Sequence, residues 1–170
     1  MIIQTEGIVL KSFDYRETSR IVTFFTLARG KVRGVMKGIR KDSKKFGSSV
    51  DKFTVNDMVY YEYSKSDLHL ISQCDLKQFF FGLRTDIKKN NAASYMIELV
   101  DLIMESEGAN KEVYDLIMEA LTTLDQYKDV SKLVHLFQIR MLQLSGFSPH
   151  LDSCVKCGKK IRGRARFSLS

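Results

Sequence analysis

The chain reads as an α+β protein, with five short strands rolled into a small barrel and then a bundle of at least three helices. Three observations predict this. Apolar and polar residues alternate through roughly the first eighty residues, whereas from about Phe79 the apolar residues recur at helical spacing. The polar gaps between the early strands have no room for crossover helices, so the sheet is antiparallel. A chain of 170 residues, 44% hydrophobic and 11% aromatic with a single Pro, can bury real cores.

The strands follow in order. Glu6–Leu10 and Arg20–Phe25 are rich in β-branched and aromatic residues, with Asp14-Tyr15-Arg16-Glu17 as the polar connection. Ala28-Arg29-Gly30-Lys31 turns the chain, with Gly30 free to take positive φ, into a strand over Val32–Met36. Thr54–Tyr63 alternates again, and Ser64-Lys65-Ser66-Asp67 turns it back into Leu68–Leu76. Closing these five strands buries one face of each without leaving long open edges.

Three apolar runs then repeat at helical spacing. The first includes Tyr95, Met96, Leu99, Val100 and Ile103, the second runs from Val113 to Leu124, and the third from Leu133 to Leu144. Gly108-Ala109-Asn110, then Asp129 to Ser131, then Gly146 with Pro149 punctuate them. A helical bundle is the expected packing. Phe79-Phe80-Phe81 stands at the change of period and is expected to plug the barrel against the bundle, with base stacking as its alternative role. The expected units are a barrel at 1–80, a helical unit at 81–150 and a basic segment at 151–170.

Charge is the strongest functional signal. Arg29 to Lys45 carries eight Lys/Arg against one acid, Asp42, a net +7 that equals the formal charge of the whole chain. Residues 1–80 are net +5, 81–150 net −3 and 151–170 net +5. A basic strand feeding a basic, glycine-containing loop suits a polyanion backbone better than a small acidic metabolite. Arg16, Arg20, Arg29, Lys31, Arg33, Lys37, Arg40, Lys41, Lys44 and Lys45 are the candidate phosphate contacts, with Tyr15 a weaker candidate for base stacking. The bland alternative for each is a solvated surface charge.

The search for catalytic chemistry returns nothing. His69, His135 and His150 are scattered, and no nucleophile elbow, HExxH, phosphate loop or carboxylate pair stands at useful spacing, so an enzyme is not expected. No run approaches about eighteen consecutive apolar residues, and the first residues lack the pattern of a secretory signal. Cys154-Val155-Lys156-Cys157-Gly158 is the one strong local motif: two thiolates three apart followed by Gly form half of a tetrahedral zinc knuckle. Such a site needs about four ligands. His150 is a weak candidate for a third, Cys74 reads as apolar strand filler, and the remaining pair is expected beyond Ser170. The redox reading of CxxC lacks its thioredoxin-like context. In the third helix Lys132 and Arg140, eight apart, share one face beside apolar residues, which suits the carboxylate end of an acidic peptide.

These residues together resemble the bacterial recombination mediator family RecO. The resemblance rests on Thr5-Glu6-Gly7-Ile8-Val9-Leu10, Tyr15-Arg16-Glu17-Thr18-Ser19-Arg20-Ile21-Val22-Thr23, Gly30-Lys31 and Lys37-Gly38-Ile39-Arg40. It continues through Ala93-Ser94-Tyr95-Met96-Ile97-Glu98-Leu99 and Phe137–Leu142, and ends in Gly146-Phe147-Ser148-Pro149 with Leu151–Gly158. It implies an N-terminal OB-fold, a helical domain and a structural zinc module with a second CxxC. It also implies a non-catalytic cytoplasmic, nucleoid-associated factor for DNA repair and recombination. Such a factor binds single- and double-stranded DNA and anneals complementary strands. Its implied partners are RecR, the C-terminal tail of the single-stranded-DNA-binding protein and, indirectly, the recombinase. The rival reading from the residues alone is an interaction adaptor whose basic barrel meets acidic partner peptides.

Overall fold

A computed structural model describes residues 1–39, 50–104, 108–127, 129–148, 150 and 152–161. Five strands, β1 (Ile2–Tyr15), β2 (Ser19–Thr26), β3 (Gly30–Met36), β4 (Thr54–Tyr61) and β5 (His69–Phe79), form a closed barrel in the order β1-β2-β3-β5-β4. Helices α1 (Gly82–Thr85), α2 (Ile87–Ile103), α3 (Lys111–Gln126) and α4 (Val130–Leu144) follow. A five-stranded barrel with this order is an OB-fold; the alternation predicts the small barrel, and the resemblance implies the OB-fold.

β1 is longer than the sequence pattern suggests because it serves two neighbours. Ile2–Ile8 pairs antiparallel with β4, and Gly7–Tyr15 pairs with β2. A register shift between Val9 and Lys11 leaves Leu10 as the extra residue of a bulge. The barrel closes through a short parallel seam, Gly34 with His69 and Val35 with Leu70. Gly34 is required there, since a Cβ would lie 2.4 Å from Ile71 Cδ1.

Alternation sorts the barrel residues into two cores. Val9, Val22, Phe24, Val32, Met36, Met58, Tyr60, Ile71 and Cys74 fill the interior. Ile8, Leu10, Phe25, Phe53 and Val55 face outward and share a second core with α1–α4, so Ile8, Val9 and Leu10 are all buried although they point different ways. The Phe triplet is divided among three roles. Phe79 ends β5, Phe80 is buried and donates its N–H to the Phe53 carbonyl at 3.1 Å, and Phe81 is exposed. Only Phe80 is the expected plug.

The helix starts obey their caps. Asp86 accepts from the Lys88 and Lys89 backbone N–H groups at the start of α2, Asn110 from Val113 at α3, and Asp129 from Lys132 at α4. Several contacts fix the helices to the barrel. Tyr114 of α3 stacks on Phe25 with centroids 6.3 Å apart and donates its hydroxyl to Glu6 Oε1 at 2.7 Å. Burial, followed by the Glu6 hydrogen bond and charge, pushes that phenol far above its usual range. At the β2–β3 turn Gly30 has φ +67, and a Cβ there would meet the Gly108 carbonyl at 2.2 Å. The connector after α2 therefore rests directly on the turn.

Candidate nucleic-acid interface

Strand register builds a band of cations across three strands. On β3, Val32, Gly34 and Met36 point inward, while Lys31 and Arg33 point outward. Arg33 is paired with Thr23, and Thr23 with Lys11. Residues paired in this way project from the same face, so Lys11, Thr23 and Arg33 form one row. The bulge at Leu10 makes this possible, because it lets Leu10 enter the outer core while Lys11 still lines up with Thr23. Arg33 also lies over the Phe13 ring, 5.8 Å from its centroid, an attraction between guanidinium and ring face.

This band forms one wall of a cleft of about 1220 Å³. Lys11, Arg29, Lys31, Arg33 and Lys65 supply its cations, and Phe13, Tyr63 and His69 its aromatic surface, over the buried Tyr60. The size exceeds that of an ordinary small-molecule pocket, which suits a polymer track better than a single metabolite. His69 stacks on Tyr60 with centroids 5.4 Å apart, and its Nδ1 accepts the Tyr63 backbone N–H at 3.2 Å. That bond assigns the remaining proton to Nε2 in the neutral ring. Burial raises the Tyr60 phenol above its usual value, Glu62 adds to the effect, and Arg29 opposes it. From the far side Asp101 of α2 reaches into the cleft. Its carboxylate meets Lys11 Nζ at 2.5 Å and Lys31 Nζ at 3.5 Å, and its backbone carbonyl accepts from Lys31 Nζ at 2.8 Å.

The structure distributes the sequence-derived candidates unevenly. Arg29, Lys31 and Arg33 meet in the cleft. Lys37 is exposed just after β3. Arg16 sits in the β1–β2 turn at φ +53, its guanidinium 5.2 Å from the centroid of Tyr15, which leaves that ring covered by its own neighbour. Arg20 lies elsewhere, at the barrel end that meets the helices, bonded to Asp14 at 2.9 Å and within 3.9 Å of Asp51. Arg84 reaches the same Asp51. Arg40, Lys41, Lys44 and Lys45 lie outside the described residues. Lys11, Phe13, Tyr63, His69 and Asp101 were not reached by sequence reasoning as members of this cleft.

Two other candidate sites stand apart. Cys154 and Cys157 are exposed in a small hairpin closed by a Ser153–Lys160 bridge, with Gly158 at φ +69 donating its N–H to the Cys154 carbonyl at 2.8 Å. The backbone N–H groups of Cys157 and Lys156, with the Cys157 side chain, hold the Cys154 thiol below its usual range. His150 instead contacts Ser153 Oγ at 2.6 Å, and no group of three or more metal-ligating residues forms among the described residues. On α4, Phe137 and Met141 are buried in the bundle, whereas Arg140 is exposed. Arg140 thus belongs not with those two residues but to the outer row Lys132-Leu136-Arg140, spaced four apart, with Leu136 and Ile139 exposed beside it.

Comparison with known proteins agrees with this architecture. The family described as Recombination protein O N terminal matches residues 1–80, and Recombination protein O C terminal matches residues 84–170. The chain belongs to the RecO family. It is 31% identical over 99% of its length to the DNA repair protein RecO of Alkaliphilus metalliredigens, covering 68% of that relative. It is 37% identical over 94% of its length to the protein of that name from Desulfatibacillum aliphaticivorans, and 35% over 91% to that from Syntrophotalea carbinolica. It covers 62% and 60% of those two RecO proteins, so the chain spans about two thirds or less of these relatives. No helix among the described residues is long and apolar enough to cross a membrane.

Proposed function

We propose that this RecO-family chain is a non-catalytic DNA repair and recombination factor that holds nucleic acid along the cleft of its OB barrel. The observation that carries this reading is the row Lys11-Thr23-Arg33 with Lys31 and Arg29 beside it, in a cleft that Tyr63 and His69 also line. Cations spaced along a groove neutralise phosphates, and rings in the same groove accept unstacked bases of any sequence. Lys37 and the basic residues Arg40, Lys41, Lys44 and Lys45 extend the same charge in sequence. Binding of both single and double strands supports annealing and loading of the recombinase together with RecR. The test is affinity for random oligonucleotides across salt: about four contacts to a single strand give a slope of log K against log[salt] near −3. A salt-independent affinity, with tight binding to acidic peptides instead, would favour the adaptor reading.

The acidic helical unit serves protein partners in this proposal. Lys132, Leu136 and Arg140 offer a cation–apolar–cation strip for an acidic tail with an apolar tip, such as that of the single-stranded-DNA-binding protein. Arg140→Glu is expected to weaken that peptide while leaving oligonucleotide binding intact. Cys154 and Cys157 fit two positions of a tetrahedral zinc site whose role is structural, pinning the basic segment 159–166. Metal analysis of the full-length protein checks this, and less than a few tenths of a zinc per chain, with freely titrating thiols, refutes it.

A further inference from the structure

Asp101 lies in the cleft between two of its cations, Lys11 and Lys31. Its side chain is only 10% exposed, bridges Lys11 and Lys31, and arrives from α2 rather than from the barrel. A carboxylate held between two ammonium groups has the charge and acceptor geometry of one phosphodiester. We infer that Lys11 and Lys31 form a phosphate subsite of the proposed nucleic-acid cleft, and that Asp101 is its internal occupant, which the entering backbone displaces. The inference rests on the cleft reading and adds the residue that sets its affinity.

The ion pairs are not what attaches α2. Ala92, Ala93, Met96, Ile97 and Val100 bury its inner face, and the Gly30–Gly108 contact seats the connector that follows. Lys31 also keeps an acceptor without the carboxylate, because the Asp101 backbone carbonyl lies 2.8 Å from its Nζ at the C-terminal, negative end of the helix. Lys11 is half exposed and can turn to solvent or to a phosphate. The pairing is therefore exchangeable. The remaining acids of the cleft, Glu62 and Asp67, lie on the β4–β5 side and have no ion pair with Lys11 or Lys31 among the described residues.

Asp101→Asn removes the charge and keeps an amide oxygen for both lysines. It is expected to tighten binding of a random single-stranded oligonucleotide on the order of tenfold at low salt, with the gain shrinking as salt rises. The salt slope becomes steeper by roughly 0.7, because the variant has no displaced carboxylate to take up a cation and offset the release from one phosphate. Should this variant lose thermal stability, Lys11→Gln tests the subsite from the other side, with weaker binding and a slope shallower by roughly 0.7. Unchanged affinity and slope in Asp101→Asn, or in Lys11→Gln if the first variant is unstable, overturns the inference. If Arg33→Glu still weakens binding in that case, the cleft reading survives. If Arg33→Glu also binds normally, the cleft reading falls with it.

Discussion

The two ends of the barrel hold similar basic residues and use them differently. At the end that meets the helices, Arg20 and Arg84 converge on Asp51, and Asp14 takes a second bond from Arg20. Two guanidinium groups face two carboxylates, so the local charge is spent within the protein. In the cleft, Asp101 pairs with Lys11 and Lys31, and the lining cations Lys11, Arg29, Lys31, Arg33 and Lys65 outnumber the acids Asp101, Glu62 and Asp67. The excess there remains for a ligand. Charge density along the sequence thus ranks binding residues poorly when acids arrive from distant elements, because the field at a surface is set by three-dimensional neighbours.

The comparison predicts that substitutions at the junction end act on stability and those in the cleft on affinity. The largest effect belongs to the junction core. Phe80 is 2% exposed and anchors the barrel to the helices through Phe53. Phe80→Ala is expected to cost about 3–5 kcal/mol in chemical unfolding, the range for emptying a buried aromatic site. The surviving folded protein should bind oligonucleotides normally. A loss below about 1 kcal/mol would mean the junction carries little of the fold's stability.

Next in size is the cleft. Reversing Lys31 and Arg33 together to Glu is expected to weaken single-strand binding on the order of tenfold or more, on every sequence alike. The salt slope should become shallower by about 1.4, two phosphates at roughly 0.7 each. The melting temperature of Arg33→Glu alone should stay close to that of the parent, since Arg33 is exposed, whereas Lys31→Glu sets a second carboxylate beside Asp101 and should lower it. An unaltered slope would move the interface off this face.

Arg20→Gln is the mirror experiment. Its bonds to Asp14 and Asp51 are partly exposed, and such pairs contribute under about 1 kcal/mol. Affinity for single strands should stay within about twofold of the parent, because the charge removed is already compensated. A loss as large as that of the cleft variant would show that the junction arginines also face the ligand, and the contrast between the two ends would collapse.

Much of this was legible in the sequence and some could not be. The alternation Lys31-Val32-Arg33-Gly34-Val35-Met36 gave both the strand and its basic outer face, and Asp86, Asn110 and Asp129 stand where capped helices begin. The membership of Lys11 was hidden by the bulge at Leu10, which breaks the period-two rule at the residue that decides it. Asp101 lies ninety positions from Lys11, and no local pattern couples them. Arg20 looks identical to Arg33 in one dimension, and its ion pairs with Asp14 and, across the fold, Asp51 set their surroundings apart. Arg140 lies between the buried Phe137 and Met141 in sequence, yet its four-residue row with Lys132 and Leu136 places it on the outer face.

The smallest effect tests whether the helical half has its own pH response, apart from the charge balance of the cleft. Hydrogen bonds from the Lys89 and Lys88 backbone N–H groups to Asp86 hold that carboxyl below its ordinary value. A depressed carboxyl contributes stability that is fully present above its unfolded value of about 3.9 and is lost as pH falls through the lower folded value. Asp86→Asn retains a cap oxygen but not the charge that favours the helix N-terminus. The parent should therefore melt above the variant near neutral pH, and the gap should close as the solution is acidified past the ordinary carboxylate range. Raising the salt should shrink the same gap, since the group is exposed. A gap that stays constant down to strongly acid solution would mean that the hydrogen bonds of the cap, and not its ionisation, are what Asp86 contributes to α2.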